Sequence, residues 1–295
     1  MAPPNRWNGA FDQATSGGVP GLPYRHGRHR HGPLRCSLTQ LMDTVIGPAF
    51  QRKTGITYQG EDGLGGAVAL ARALRQGARR PDVFLSADGT QIDRLLMPPH
   101  GHWPTWCVPF ARVTRVLTYS PLSQWRAEFE RVTRGEAAWY DVLLQPGLQA
   151  RLLGPDRNPT QIPPVEVLRR GLTTNELYAT IAYGLSLGER GIPFVTLPAA
   201  VSLSDPTHAA GYARASFVTS DGFTLRGGLV QYTATVLADA PNPEAGAAFV
   251  AYVLSEEVQA LLRQRGLVAT APTVLGAEGD VPPAVAAEIS RAAAG

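Results

Sequence analysis

From residue 36 onward, short apolar runs of strand length alternate with amphipathic segments of helical period. That alternation points to an α/β fold with largely parallel sheets flanked by helices. Strand-like runs are Asp82, Val83, Phe84 and Leu85 after Pro81, then 115–119, 150–153, 194–197 and 229–237, and Ile56, Thr57 and Tyr58 form a shorter one. Leu41, Val45 and Ile46 begin a helix that Gly47 and Pro48 are expected to interrupt before it continues through Phe50 to Lys53. Ala67, Val68, Leu70, Ala71 and Leu74 lie at helical spacing up to Gly77, and 91–96, 125–132, 139–144 and 175–187 read as further helices. The strongest amphipathic stretch, 245–262, turns Phe249, Val253, Leu254, Val258, Leu261 and Leu262 inward and is closed by Gly266, while 280–295 reads as a loosely attached helix.

Composition narrows the classes. With 295 residues, 44% hydrophobic and 17% charged, the chain has room for two lobes and the balance of an ordinary globular protein. No run of about 18 apolar residues occurs, and no repeat of about 20–50 residues is visible. Net charge is +3, but residues 1–35 hold five arginines against the single acid Asp12, so the body of the chain is nearly neutral. A neutral body lacks the basic face that nucleic acid requires.

Residues 1–35 are rich in Gly, Pro, Arg and His, show no apolar periodicity, and contain no apolar run of about 7–15 residues that would serve as a secretion signal. Cys36 and Cys107 are too few for a disulfide framework or a zinc site and are expected to be unpaired, although a Cys36–Cys107 bridge stays open. The pairs His29/His31 and His100/His102 lack a third ligand at useful spacing, so no metal site is expected. No nucleophile elbow, phosphate-binding loop or zinc-protease motif is present, and an enzyme is not expected.

Small or hydroxyl residues recur where helices are about to begin. Ser37 precedes 38–45, Gly65, Gly66 and Ala67 open the next segment, Ser86 with Asp88 opens a third, and Asn158, Pro159 and Thr160 open a fourth. Helix starts present unpaired N–H groups and partial positive charge, so several converging on one cleft would hold an anion without Lys or Arg. Plain N-capping uses the same residues.

The combined text resembles the solute-binding proteins of ABC importers, in the molybdate/tungstate group with the type II periplasmic-binding-protein fold. The matching pieces are C-S-L-T-Q-L-M at 36–42, P-A-F-Q-R-K-T-G-I at 48–56, R-R-P-D-V-F-L-S-A-D at 79–88, P-F-A-R-V-T-R-V-L-T-Y-S at 109–120, W-Y-D-V-L-L-Q-P-G at 139–147, P-F-V-T-L-P at 193–198 and A-P-N-P-E-A-G-A-A-F-V-A-Y-V-L-S at 240–255. The resemblance implies two lobes, 36–112 with 228–295 and 113–227, each a mostly parallel sheet flanked by helices, with the ligand cleft between them. It implies a periplasmic or extracellular monomer that captures a small oxyanion, carries no cofactor, binds no nucleic acid, and meets the membrane only through ABC permease subunits. A cytoplasmic small-ligand sensor of the same fold, or a ligand other than an oxyanion, is the alternative.

Carried over residue by residue, the resemblance places ligand donors at Ser37, Gly66, Ala67, Ser86, Asn158, Thr160 and Tyr183. The branch that completes an octahedral metal centre has an Asp before a Pro and a Glu before a Tyr; here those places hold Asn158 and Ala182. The resemblance also implies an apolar strand just before Ser37, where this chain has H-G-R-H-R-H-G-P-L-R. Residues 1–35 are accordingly expected to be a disordered, non-native N-terminal segment.

Overall fold

In the computed structural model the described residues are 37–60, 80–86, 104–145, 178–184, 191–218 and 224–294, with 74, 76, 147–148, 150–151, 172 and 187 between them. Internal contacts divide the chain into Met1–Pro33 and Leu34–Gly295, and the second unit is described here. Residues 1–35 lie outside the described residues, and so does Cys36.

Pro48 shapes the first helix. Its ring crowds the carbonyl of Thr44 and it has no N–H to donate, so a regular α-helix cannot pass through it unchanged. The chain answers by widening: α1 (Ser37–Leu41) runs into a π-helical turn (Met42–Ile46) and then α2 (Gly47–Thr54), with the Gly47 N–H donating to the Met42 carbonyl. Gly55 at φ 74° ends α2 and donates to the Gln51 carbonyl at 2.9 Å. Ile56–Tyr58 is not the expected strand. The Tyr58 N–H donates to Gln51 Oε1 and its hydroxyl to Asp43 Oδ1, both at 3.0 Å, which pins the segment onto its own helix instead of a ladder. A Cβ at Gly47 would lie 2.2 Å from the Tyr58 ring, so this approach depends on glycine.

The first sheet combines β1 (Val83–Ser86), β2 (Trp106–Arg112), β9 (Gln231–Val236) and β10 (Val268–Ala269) in the order β1-β9-β2-β10, with β11 (Leu275–Gly276) also on β2. Helices α5 (Pro243–Leu254), α6 (Glu256–Gln264) and α7 (Pro283–Ala294) complete this part. One cluster unites Leu38, Ile46, Phe50, Phe110, Tyr232 and Val253 with many neighbours, and Phe50 meets Phe249 edge-on at 5.1 Å. Gly266, at φ 79°, terminates α6 as expected. The last helix is not loosely attached: Val285 is fully buried in the same cluster and Ile289 packs on it, because α7 lies against α5.

The second sheet has the order β4-β5-β3-β6, from β3 (Arg115–Tyr119), β4 (Ala150–Arg151), β5 (Ala179–Tyr183) and β6 (Phe194–Thr196). Helices α3 (Arg126–Thr133) and α4 (Trp139–Leu143) cover one face, where Leu117, Tyr119, Phe129, Val142 and Ala179 form a core. Val116, Leu172, Ala182, Leu187 and Ile192 form a separate core. The expected helix at 175–187 is corrected by β5. Ala179, Ile181 and Tyr183 alternate with Thr180 and Ala182 between two apolar layers, a run in which helix and strand read alike; Gly184 and Leu187 are helical, and 175–177 lie outside the described residues. A small hairpin joins β7 (Ser216–Val218) to β8 (Thr224–Arg226).

Pairing is not mostly parallel. Among the described residues only β4 and β5 pair in parallel; all other pairs are antiparallel. The connections explain it. The chain leaves the first sheet through Val113 and Thr114, between β2 and β3, and returns through 227–230 into β9. One path leads out and the other back, so β2 and β9 run in opposite directions as neighbours. The Val113 N–H donates to the Val230 carbonyl at 3.2 Å, which ties these paths together, and the Gly184 N–H, just past β5, donates to the Thr114 carbonyl at 3.0 Å.

Candidate functional site

The crossing region gathers polar groups on backbone that belongs to neither sheet. Thr114 Oγ1 donates to Ser204 Oγ at 3.2 Å, and the Val230 N–H donates to the Leu203 carbonyl at 2.7 Å. Leu203 lies at φ 58°, a left-handed conformation that costs a side-chain-bearing residue about 1–2 kcal/mol. Beside it, the Thr207 hydroxyl and N–H both donate to Asp205 and hold its carboxyl below the usual carboxylate range. Arg112 Nη2 donates to the Ala269 carbonyl at 3.1 Å and so ties the end of β2 to β10.

Three of the expected site residues fall within the description. Ser37 is the first residue of α1, as expected. Ser86 does not itself open a helix: it is the last residue of β1, is buried, and stands opposite Thr233 of β9. Tyr183 ends β5 and is half-buried. Gly66, Ala67, Asn158 and Thr160 lie outside the described residues, as does the stretch after Ser86 expected to be helical. One cluster borders all three described positions, since it contains Leu38 beside Ser37, Leu85 beside Ser86, and Tyr183 itself.

Tyr183 therefore has a distinctive place. It belongs to a strand of the second sheet, yet it packs on a cluster whose buried members come from the first sheet and its helices. Its neighbour Ala182 does the reverse: it is 1% exposed and enclosed with Val116, Leu172, Leu187 and Ile192. A carboxylate at Ala182 would be buried among apolar side chains, so alanine fits the place where the resembling family has glutamate.

Two neighbouring residues escaped the reading of the sequence. Thr233 is fully buried, and its hydroxyl has no hydrogen-bond partner among the described residues. It faces Pro109 across β2, next to a register shift between Pro109 and Ala111. Arg115, the first residue of β3, stands directly opposite Tyr183. The text V-T-R-V-L showed a charged residue at the mouth of an apolar strand, but only the register shows which residue it faces.

Away from this region, Tyr252 donates to Glu257 Oε1 at 2.9 Å, Lys53 pairs with Glu257 at 2.6 Å, and the Lys53 ammonium lies 5.4 Å from the Tyr252 ring centre. Burial and the bond to Glu257 push the Tyr252 hydroxyl up to about 12. Among the described residues no group of His, Cys, Asp and Glu is arranged to hold a metal ion. No single described helix is long and apolar enough to cross a membrane, and the α5–α6 pair, bent by 53°, has its apolar face in the core.

Comparison with known proteins gives a consistent picture. The family model described as "Bacterial extracellular solute-binding protein" matches residues 36–268. An uncharacterized solute-binding protein of Halobacterium salinarum is 28% identical over 272 residues, 83% of this chain and 86% of that protein. The molybdate/tungstate-binding protein WtpA of Pyrococcus abyssi is 23% identical over 303 residues, 85% of this chain and 86% of that one. A Haloferax volcanii protein whose name carries the words "ABC transporter molybdenum-binding protein" is 30% identical over 198 residues, and the match spans 58% of this chain and 62% of that relative's length. Among solved structures, the periplasmic molybdate-binding protein of Azotobacter vinelandii superposes with a TM-score of 0.50 at 12% identity, covering 79% of this chain and 96% of that one. Two sheets joined by paired crossing segments, a shared type II binding-protein fold, and a family match from residue 36 to 268 lead to one statement: the chain belongs to the bacterial extracellular solute-binding protein family.

Proposed function

We propose that this protein is the extracytoplasmic substrate-binding component of an ABC importer, and that it captures a small molybdate- or tungstate-like oxyanion between two lobes. The family match over 36–268 carries the binding role, and the names of the Pyrococcus and Azotobacter proteins support the anion class. The lobes are 36–112 with 228–295 and 113–227. Their donors are Ser37, Gly66, Ala67 and Ser86 from the first and Asn158, Thr160 and Tyr183 from the second. The placement of Tyr183 against the first sheet's cluster favours it as a residue that senses both lobes. Closure is a population shift, driven by donors from both lobes that only the closed form satisfies together. The crossing segments around Thr114, Leu203 and Val230 are where that motion pivots.

Asn158 and Ala182 replace two carboxylates, and Ala182 sits in an apolar cluster, which supports a tetrahedral anion held by hydrogen-bond donors over an octahedral metal centre. The protein then delivers its cargo as a monomer to permease subunits at the outer face of the membrane.

Thermal melting of the whole protein, stripped of carried-over ligand by unfolding and refolding, tests this with molybdate, tungstate and sulfate. A ligand present at about 1,000 times its Kd adds about 4 kcal/mol. For a chain of this size that is a shift of roughly 8–16 °C. An anion-specific shift of that size is expected; identical melting curves with and without all three anions would overturn the proposal.

A further inference from the structure

The geometry points to Arg115 as a cationic ligand-binding residue, one that pairs its guanidinium with the anion opposite Tyr183. This rests on the oxyanion reading above and changes its chemistry from neutral donors alone to donors with charge compensation.

Arg115 and Tyr183 are direct antiparallel partners, so both side chains leave the same face of the second sheet, with Cβ atoms about 5 Å apart. Further along that face come the pairs Leu117 with Ile181 and Tyr119 with Ala179, and these belong to the second sheet's own core. At the last rung the face changes partner, because Tyr183 packs on the first sheet's cluster. Arg115 occupies that rung, where the second sheet turns toward the first.

Arg115 is half-buried, and its Nε, like that of Arg112, is buried without a hydrogen-bond partner. No carboxylate pairs with it among the described residues, although Arg126, Arg131, Arg134, Arg263 and Arg291 each have a glutamate. Arg112, close by, at least engages the Ala269 carbonyl. A guanidinium whose Nε–H is buried and unmet, with no counter-charge beside it, favours an anion, and its planar fork of donors matches two oxygens of one oxyanion. Ala182, one rung away, lies on the opposite face of the sheet with Val116 and so brings no charge to Arg115. An anion bound beside Tyr183 supplies the missing charge, and the class of ligand is a tetrahedral dianion.

Isothermal titration of the full chain with sodium molybdate, tungstate and sulfate tests this for wild type, Arg115→Gln, Arg115→Lys and the surface control Arg134→Gln. Charge-assisted bonds of this kind predict a loss of about 10- to 100-fold in affinity for Arg115→Gln, a smaller loss for Arg115→Lys, and none for Arg134→Gln. Without ligand, Arg115→Gln is expected to melt no lower than wild type, since it removes an unpaired half-buried charge, and this separates lost binding from lost folding. Binding by Arg115→Gln within twofold of wild type overturns this inference alone. A folded wild type that binds none of the three anions overturns the oxyanion reading and this inference with it.

Discussion

Replacing Ala182 by Glu restores the carboxylate found in the octahedral branch of the resembling family and tests the face assignment of β5. Ala182 is 1% exposed and enclosed with Val116, Leu172, Leu187 and Ile192, so the longer side chain must displace packed neighbours. Overpacking of this kind costs about 1–3 kcal/mol. The carboxyl also loses water without gaining a counter-charge, which brings the total to about 3–5 kcal/mol. At about 2–4 °C per kcal/mol, the melting temperature should fall by roughly 10 °C at neutral pH. The charge part has a sign. Burial raises the folded-state pKa of the new Glu above its unfolded value of about 4.3, so this part of the penalty is absent below about pH 4 and grows until the folded pKa is passed. Ala182→Gln carries the size without the charge and should lose a similar amount at every pH. Melting curves of both variants from pH 4 to 8 provide the assay. An Ala182→Glu protein as stable as wild type at pH 7 would refute the reasoning, because the side chain would then have to reach water or a cation.

Three further outcomes follow from the packing. Gly47→Ala drives a methyl to within 2.2 Å of the Tyr58 ring, so it should displace Tyr58, break its bond to Asp43 and cost about 2–3 kcal/mol in a urea titration. Val285→Ala should cost about 1–3 kcal/mol in the same titration, because Val285 is fully buried between α7 and the main cluster; a neutral result would mean that α7 is detachable. The Tyr252 hydroxyl, held up to about 12 by burial and then by Glu257, stabilises the fold fully below about pH 10, and that contribution is lost as pH rises from about 10 to about 12. Absorbance at the phenolate band should show a late-titrating component, to which Tyr119 also contributes, that is smaller by one tyrosine in Tyr252→Phe, and the variant's melting temperature should fall less steeply over that range.

What could be read from the sequence was mostly local. Val83–Ser86 after Pro81, the Arg115–Tyr119 strand, the α5–α6 pair and the Gly266 terminator each rest on periodicity or capping within a few residues, and they stand where expected. The misreadings arose where distant contacts decide. Residues 177–187 are mostly apolar and suit either period until β3 pairs with them, and Ile56–Tyr58 looks extended but Tyr58 spends its donors on Gln51 and Asp43. The docking of α7 depends on α5, about 40 residues earlier in the chain, which no local pattern announces. The site divides in the same way. Ser37 and Tyr183 came from motif resemblance and occupy a helix start and a strand end, whereas Arg115 becomes meaningful only through a cross-strand register that no spacing reveals. An interruption of the first helix at Gly47 and Pro48 was expected from proline chemistry, but its form, a π turn and not a break, goes with the Gly47 to Met42 bond.

The most direct test of the oxyanion account is isothermal titration of the refolded, ligand-free protein with molybdate, tungstate and sulfate. The account predicts one-to-one binding of at least one of them with a Kd below about 1 μM, equivalent to about 8 kcal/mol or more. A sample that shows a cooperative melt yet gives no binding heat at several temperatures with any of the three would contradict it.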